Sequence, residues 1–203
     1  TAAASTDGIF LDDLIGHMRV DLVQTRGDVS LRTTDGSVLQ GTRNGITGDA
    51  DDAADVVGNS IDIDANDSVP GDALHADIGE DGKDLDIDSR AGNGATGDVS
   101  LEAERHIYLT ETDAQLRLVL AHSYRGDIRL TVRESAGAAP GAAAADRALY
   151  LDEDFELLAG GDARFAEDNS TAPGNDVDAL RLVGHGQVFA ERGSVSIRAG
   201  DDI

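Results

Sequence analysis

A glycine, then aspartate or serine, then a β-branched residue that opens an alternating strand: this unit occurs at Gly27-Asp28-Val29, Gly97-Asp98-Val99, Gly126-Asp127-Ile128 and Gly193-Ser194-Val195. Glycine reaches the backbone angles of a tight corner, and a short Asp or Ser side chain can hydrogen-bond a turning backbone, so each unit reads as a corner feeding a strand. Period-two alternation of apolar and polar residues follows in Val29–Arg32, Ile61–Ala65, Asp84–Asp88, Val99–Ala103, Ile107–Leu109, Leu116–Leu120, Ile128–Val132, Leu180–Leu182 and Val195–Ala199. The chain is therefore expected to be all-β.

Strand starts fall seven to ten residues apart, as from Val188 to Val195 and from Leu118 to Ile128. Two such steps make a coil of roughly 16–20 residues, within the range of solenoid repeats. Residues 9–23 fit a short amphipathic helix or two irregular strands, and the downstream pattern favours strands. The tract 136–146, AGAAPGAAAAD, carries a proline and two glycines and reads as a loop excursion. The expected architecture is one elongated β-solenoid over residues 1–203. A β-sandwich is the alternative, because short strands with frequent turns mark it too.

Composition suits a thin, regular interior. Hydrophobic residues make up 40% of the chain but aromatics only 3%, and Trp and Cys are absent, so the core must be filled by Val, Ile, Leu and Ala. The absence of Cys excludes a disulfide framework and a thiolate metal site. A net charge of −24, with Lys83 as the single lysine, repels phosphate backbones and excludes nucleic acid as a partner. No apolar run reaches the length of about 20 residues that spans a bilayer, so membrane insertion is not expected. The N-terminal TAAASTDG lacks the basic and apolar regions of a signal peptide, and the final SVSIRAGDDI is strand-like with no polar cap. Both ends fit a segment with more chain beyond it, or with end-to-end copies as neighbours.

The units GDVSLRTTDGSV (27–38), GDVSLEAERHIYLTET (97–112), GDIRLTVRES (126–135) and GSVSIRAGDDI (193–203) resemble the repeats of filamentous haemagglutinin-like and leukotoxin-type filamentous adhesins. The resemblance covers about two thirds of the chain. It implies a right-handed parallel β-helix, export from a bacterial cell, and a place within a longer secreted or cell-surface protein. These adhesins supply no catalytic residues to carry over. The calcium-binding nonapeptide of RTX proteins is not matched, since Gly160-Gly161-Asp162-Ala163-Arg164-Phe165 has Ala and Phe where Gly and Asp are required.

Acidity is concentrated between residues 49 and 88, where fourteen acids face one base, Lys83. Alternation puts Asp62 and Asp64, and Asp84, Asp86 and Asp88, on the outward faces of their strands. If the two strands lie on successive coils, their carboxylates stand about 4.8 Å apart, and each unscreened like pair costs on the order of 1 kcal/mol. Calcium, with its tolerant oxygen coordination, would offset that repulsion, and these five aspartates are the candidate ligands. A merely solvated or salt-adapted acidic face is the other reading. The loop Asp77–Asp84 lacks the order of an EF-hand. Glu102 and Glu104 can oppose Arg117, Arg129 and Arg133 across neighbouring rungs.

Catalytic signatures are missing. His17, His75, His106, His122 and His185 are scattered without zinc spacing, and there is no nucleophile elbow or phosphate-binding glycine loop. Asp86 and Asp88 are the one carboxylate pair a glycosidase reading would use. The expected function is a structural or adhesive segment that meets its own chain, further copies, a surface glycan or a protein receptor. A calcium-dependent binding module and a carbohydrate-active β-helix enzyme are the alternatives.

Overall fold

The computed structural model describes residues 7–43, 46–47, 53–69, 74–90, 97–112 and 116–133, and beyond these the backbone of the strands within 149–198. Among the described residues there is no helix. The strands are β1 (Ile9–Asp13), β2 (Met18–Val20), β3 (Val23–Gln24), β4 (Val29–Thr33), β5 (Val38–Gln40), β6 (Thr42–Arg43), β7 (Ile46–Thr47), β8 (Val56–Val57), β9 (Ile61–Ala65) and β10 (Leu85–Asp88). They continue with β11 (Asp98–Ala103), β12 (Ile107–Glu111), β13 (Leu116–Ser123), β14 (Ile128–Arg133), β15 (Leu149–Ala159), β16 (Ala163–Asp168), β17 (Arg181–Leu182), β18 (Gln187–Ala190) and β19 (Val195–Arg198). Residues 9–23 form strands, as expected. The excursion expected at 136–146 lies outside the described residues.

Two parallel sheets carry the architecture. The first runs β1-β4-β9-β11-β13-β15-β17, with β18 also beside β15, and the second runs β3-β8-β10-β12-β14-β16-β19, with the pair β2-β5 extending its face. Isolated parallel bridges tie Val38 to Ile78 and Ile78 to Ile107, joining β5 to β12. From β8 to β16 the chain crosses between the two sheets at every step except where Ile78 and β10 share one rung of the second. Every ladder within the two sheets is parallel. Among the described residues the small hairpin β6-β7 and the isolated bridges Asp35–Asp67 and Glu80–Lys83 are antiparallel.

Register explains the core. In the first sheet Leu31, Ile63, Leu101 and Ala121 stack in one column, and Val29, Ile61, Val99 and Leu118 in the next. In the second, Leu85, Leu109 and Leu130 stack, as do Ile107 and Ile128. All are buried and belong to one continuous cluster drawn from both sheets. Val, Ile, Leu and Ala fill it because each must pack on aliphatic neighbours in the rungs above and below.

The corners work differently from the sequence expectation. Gly97 and Gly126 do not use left-handed angles; each lies against the backbone of an earlier coil. A Cβ on Gly97 would stand 1.5 Å from the Asn59 carbonyl oxygen, and one on Gly126 would stand 2.5 Å from the Arg105 carbonyl. Positive φ is instead found at Gly16, Gly36, Gly79 and Gly82.

The polar corner residues bond between coils. Entering the second sheet, Ser37 N–H donates to His17 Nδ1 (3.1 Å), Asp77 N–H to Ser37 Oγ (3.0 Å), His106 N–H to Asp77 Oδ1 (2.9 Å), and Asp127 N–H to His106 Nδ1 (2.9 Å). Entering the first, Ser60 N–H donates to Asp28 Oδ1 (3.3 Å). Each side chain thus satisfies a backbone donor that has left the ladder at a bend. Stacked corner residues are 20 or 21 positions apart in two of these pairs and 29 to 40 apart in the other three.

Between Ile78 and β10 the chain makes the turn Gly79–Asp84, closed by the reciprocal bonds of Glu80 and Lys83.

Candidate functional site

The five aspartates singled out as metal ligands do not meet. Asp62 and Asp64 are on β9 in the first sheet, whereas Asp84, Asp86 and Asp88 are on or beside β10 in the second. The condition on which their approach depended, β9 and β10 on successive rungs of one sheet, is not met. Strand pattern gives the facing of a side chain but not the sheet its strand joins. Among the described residues no group of three or more His, Cys, Asp and Glu side chains is arranged to hold a metal ion.

Asp84 and Asp86 are also not outward and solvated. Asp86 is opposite Leu85 and Ile87, as alternation demands, yet it is 0% exposed and accepts a bond from Gln40 Nε2 (3.4 Å). Asp55, just before β8, donates its N–H to the Asp86 carbonyl. Asp84, 6% exposed, accepts from Thr110 Oγ1 and is clamped by Arg129, which also reaches Asp81 at 2.8 Å. The Arg129 guanidinium lies 4.3 Å over the Tyr108 ring. Burial favours the neutral form of that guanidinium, but the bonds to Asp84 and Asp81 outweigh it and hold its pKa above the ordinary value. Asp88 accepts from Arg90 N–H (2.9 Å).

On the first sheet the charges oppose across rungs. Arg32 stands 3.5 Å from Asp64, Arg117 3.3 Å from Asp98, and Arg125 2.8 Å from Glu104. Ladders of opposite charge were expected here, but with different partners: Arg129 pairs with the second sheet's acids, and Glu102 faces His122. Burial raises the pKa of Asp64, which Arg32 and Asn66 only partly counter. Tyr108 and Tyr124 are likewise raised, first by burial and then by acids, Asp127 for one and Glu102 for the other.

What the sequence reading missed is a groove of 480 Å³ on the outer face of the first sheet. Its floor is a checkerboard. Along one column the residues alternate Asp28, Ser60, Asp98 from coil to coil; along the next they alternate Ser30, Asp62, Ser100. Phe10, on the edge strand β1, stands at one end and is 73% exposed; Val119, 41% exposed, stands at the other. Gly8 makes room for the phenyl ring, since a Cβ there would meet it at 2.7 Å. Val119 is outside because β13 bulges: Val99 pairs with Leu118 and Ser100 with Leu120, so Val119 is the extra residue. The signal was available as Leu118-Val119-Leu120, three consecutive apolar residues in an otherwise alternating strand.

No family model, curated protein or solved structure matches the chain.

Each carboxylate in the groove already has a partner. Asp62 accepts from Ser30 Oγ (3.2 Å), Asp28 from Asn59 Nδ2 and Ser60 N–H (both 3.3 Å), and Asp98 faces Arg117. The carboxylates are therefore fixed in direction while keeping lone pairs for a ligand. Between an aromatic and an aliphatic end, the floor presents hydroxyl donors and carboxylate acceptors at alternate positions.

Proposed function

We propose that the chain is a run of coils from a right-handed parallel β-solenoid, and that it serves as a structural and adhesive segment of a longer protein exported to a bacterial surface. The observation that carries the reading is the register: each ladder joins strands of successive coils in parallel, with like residues stacked in columns through one core. Repetition of this kind adds length without changing the cross-section, which is what a surface spacer requires. The acidic exterior keeps such a prism soluble and separate from its neighbours. The resemblance of 97–135 and 193–203 to filamentous adhesin repeats supports export and adhesion.

Antibodies raised against the purified chain test the location. They are expected to label intact cells of the source organism; labelling only after the envelope is permeabilised would overturn export. Beads coated with the chain test adhesion, with retention on a cell or matrix surface expected above that of beads coated with an inert protein of equal charge.

A further inference from the structure

The outer face of the first sheet carries a feature that a plain spacer does not need. Phe10 is one of only four phenylalanines in the chain, and it stands exposed beside a row of Asp and Ser side chains. Val119 is put on the same face by a bulge that interrupts the ladder, and bulges tend to re-aim a side chain at a place of use. Between the two lies the Asp and Ser checkerboard, in register on β4, β9 and β11 and at the corners that lead into them.

We propose that this groove binds an extended, neutral saccharide chain laid across the strands, with Phe10 as the stacking platform and the Asp–Ser checkerboard as the hydroxyl-reading floor.

Four properties of the groove select this ligand class. First, the floor both donates and accepts. A sugar hydroxyl does the same, whereas an ammonium or guanidinium group uses acceptors only. Second, the carboxylates of Asp28, Asp62 and Asp98 and the net charge of −24 repel anionic polymers, which excludes sulfated or uronate-rich chains. Third, an exposed ring offers a flat apolar face to the C–H side of a sugar ring, and Val119 offers a second apolar contact at the far end. Fourth, from β1 to β13 the groove crosses four rung spacings of about 4.8 Å, roughly 19 Å in all. That spacing is close to the advance of one ring along an extended sugar chain, so successive rings meet successive rungs, with Asp and Ser exchanging places from one rung to the next.

The inference deepens the surface-segment reading and rests on it only in that the first sheet faces outward to ligand. Calorimetric titration of the whole chain with neutral cello-, xylo-, galacto- and malto-oligosaccharides of increasing length tests it, with poly-lysine and heparin as charged probes. At least one neutral series is expected to bind, more tightly as rings are added until the groove is spanned, and with little dependence on salt. Phe10→Ala is expected to weaken binding at least about tenfold and Asp62→Asn by a smaller factor. Leu22→Ala, exposed but away from the groove, should leave binding unchanged.

Phe10 and Asp62 are both exposed, so neither variant should alter the melting temperature. Absence of binding by every neutral series, binding that Phe10→Ala leaves intact, or salt-sensitive binding of poly-lysine alone would overturn the proposal. Any of these in a chain that melts normally counts against the groove and leaves the stacked architecture standing.

Discussion

The acids on the outer faces of the two sheets are used in opposite ways. On the second sheet they are drawn into structure: Asp86 is covered and Asp84 is clamped beneath Arg129 and Tyr108. On the first sheet the register runs unbroken across β4, β9 and β11. Asp28, Asp62 and Asp98 stay at the surface, each tied to a neighbour but open on one side. A carboxylate that is buried needs its partners to offset lost hydration, so its free energy is committed to the fold. An exposed one costs little and remains available.

The corners give the largest expected effects. Gly97→Ala would drive a Cβ into the Asn59 backbone and is expected to cost about 3 kcal/mol or more, since neither coil can shift without disturbing the ladders. Gly126→Ala, with a wider approach, should cost less. Denaturant titration of both variants checks the order, and equal costs would show that the two corners are not packed as described.

Next comes the clamp. Arg129→Ala leaves the buried Asp84 carboxylate without its cation and is expected to cost about 2–3 kcal/mol. Asp62→Asn on the other sheet should change stability by no more than about 0.5 kcal/mol. Similar losses in the two variants would erase the contrast between the faces.

The smallest effect is one of pH. Burial raises the pKa of Asp64 in the folded chain, so its contribution to stability is full below the ordinary carboxylate range and is lost as pH rises through the raised value. Relative to Asp64→Asn, the wild type should therefore gain stability on acidification from neutral pH into the carboxylate range. A wild type that instead loses ground to the variant would show that Arg32 dominates over burial.

Most of the strands were legible because alternation fixes which residues share a face, as in Ile61–Ala65 and Ile128–Val132. Their allocation between sheets was not. β9 and β10 both read as alternating aspartate and aliphatic residues, and nothing local distinguishes a strand whose outer face is bare from one whose outer face is covered. The Gly-Asp unit was visible, but its cause was misplaced: the glycine is required by the backbone of an earlier coil, at positions such as Asn59 that lie far off in sequence. The groove was hidden for the same reason. Its floor joins residues 28, 30, 60, 62, 98 and 100, which only register brings together.

That register is the claim on which the contrast and the groove both depend, and a chain without native cysteine allows it to be tested cleanly. Two double variants, Ser30→Cys with Asp62→Cys and Asp62→Cys with Ser100→Cys, join side chains on adjacent parallel strands, within the Cα separation that a disulfide accepts. Both are expected to cross-link under mild oxidation, while Asp62→Cys with Asp88→Cys, on opposite sheets, is expected to stay reduced. Cross-linking of the 62 and 88 pair, with the 62 and 100 pair remaining open, would contradict the account.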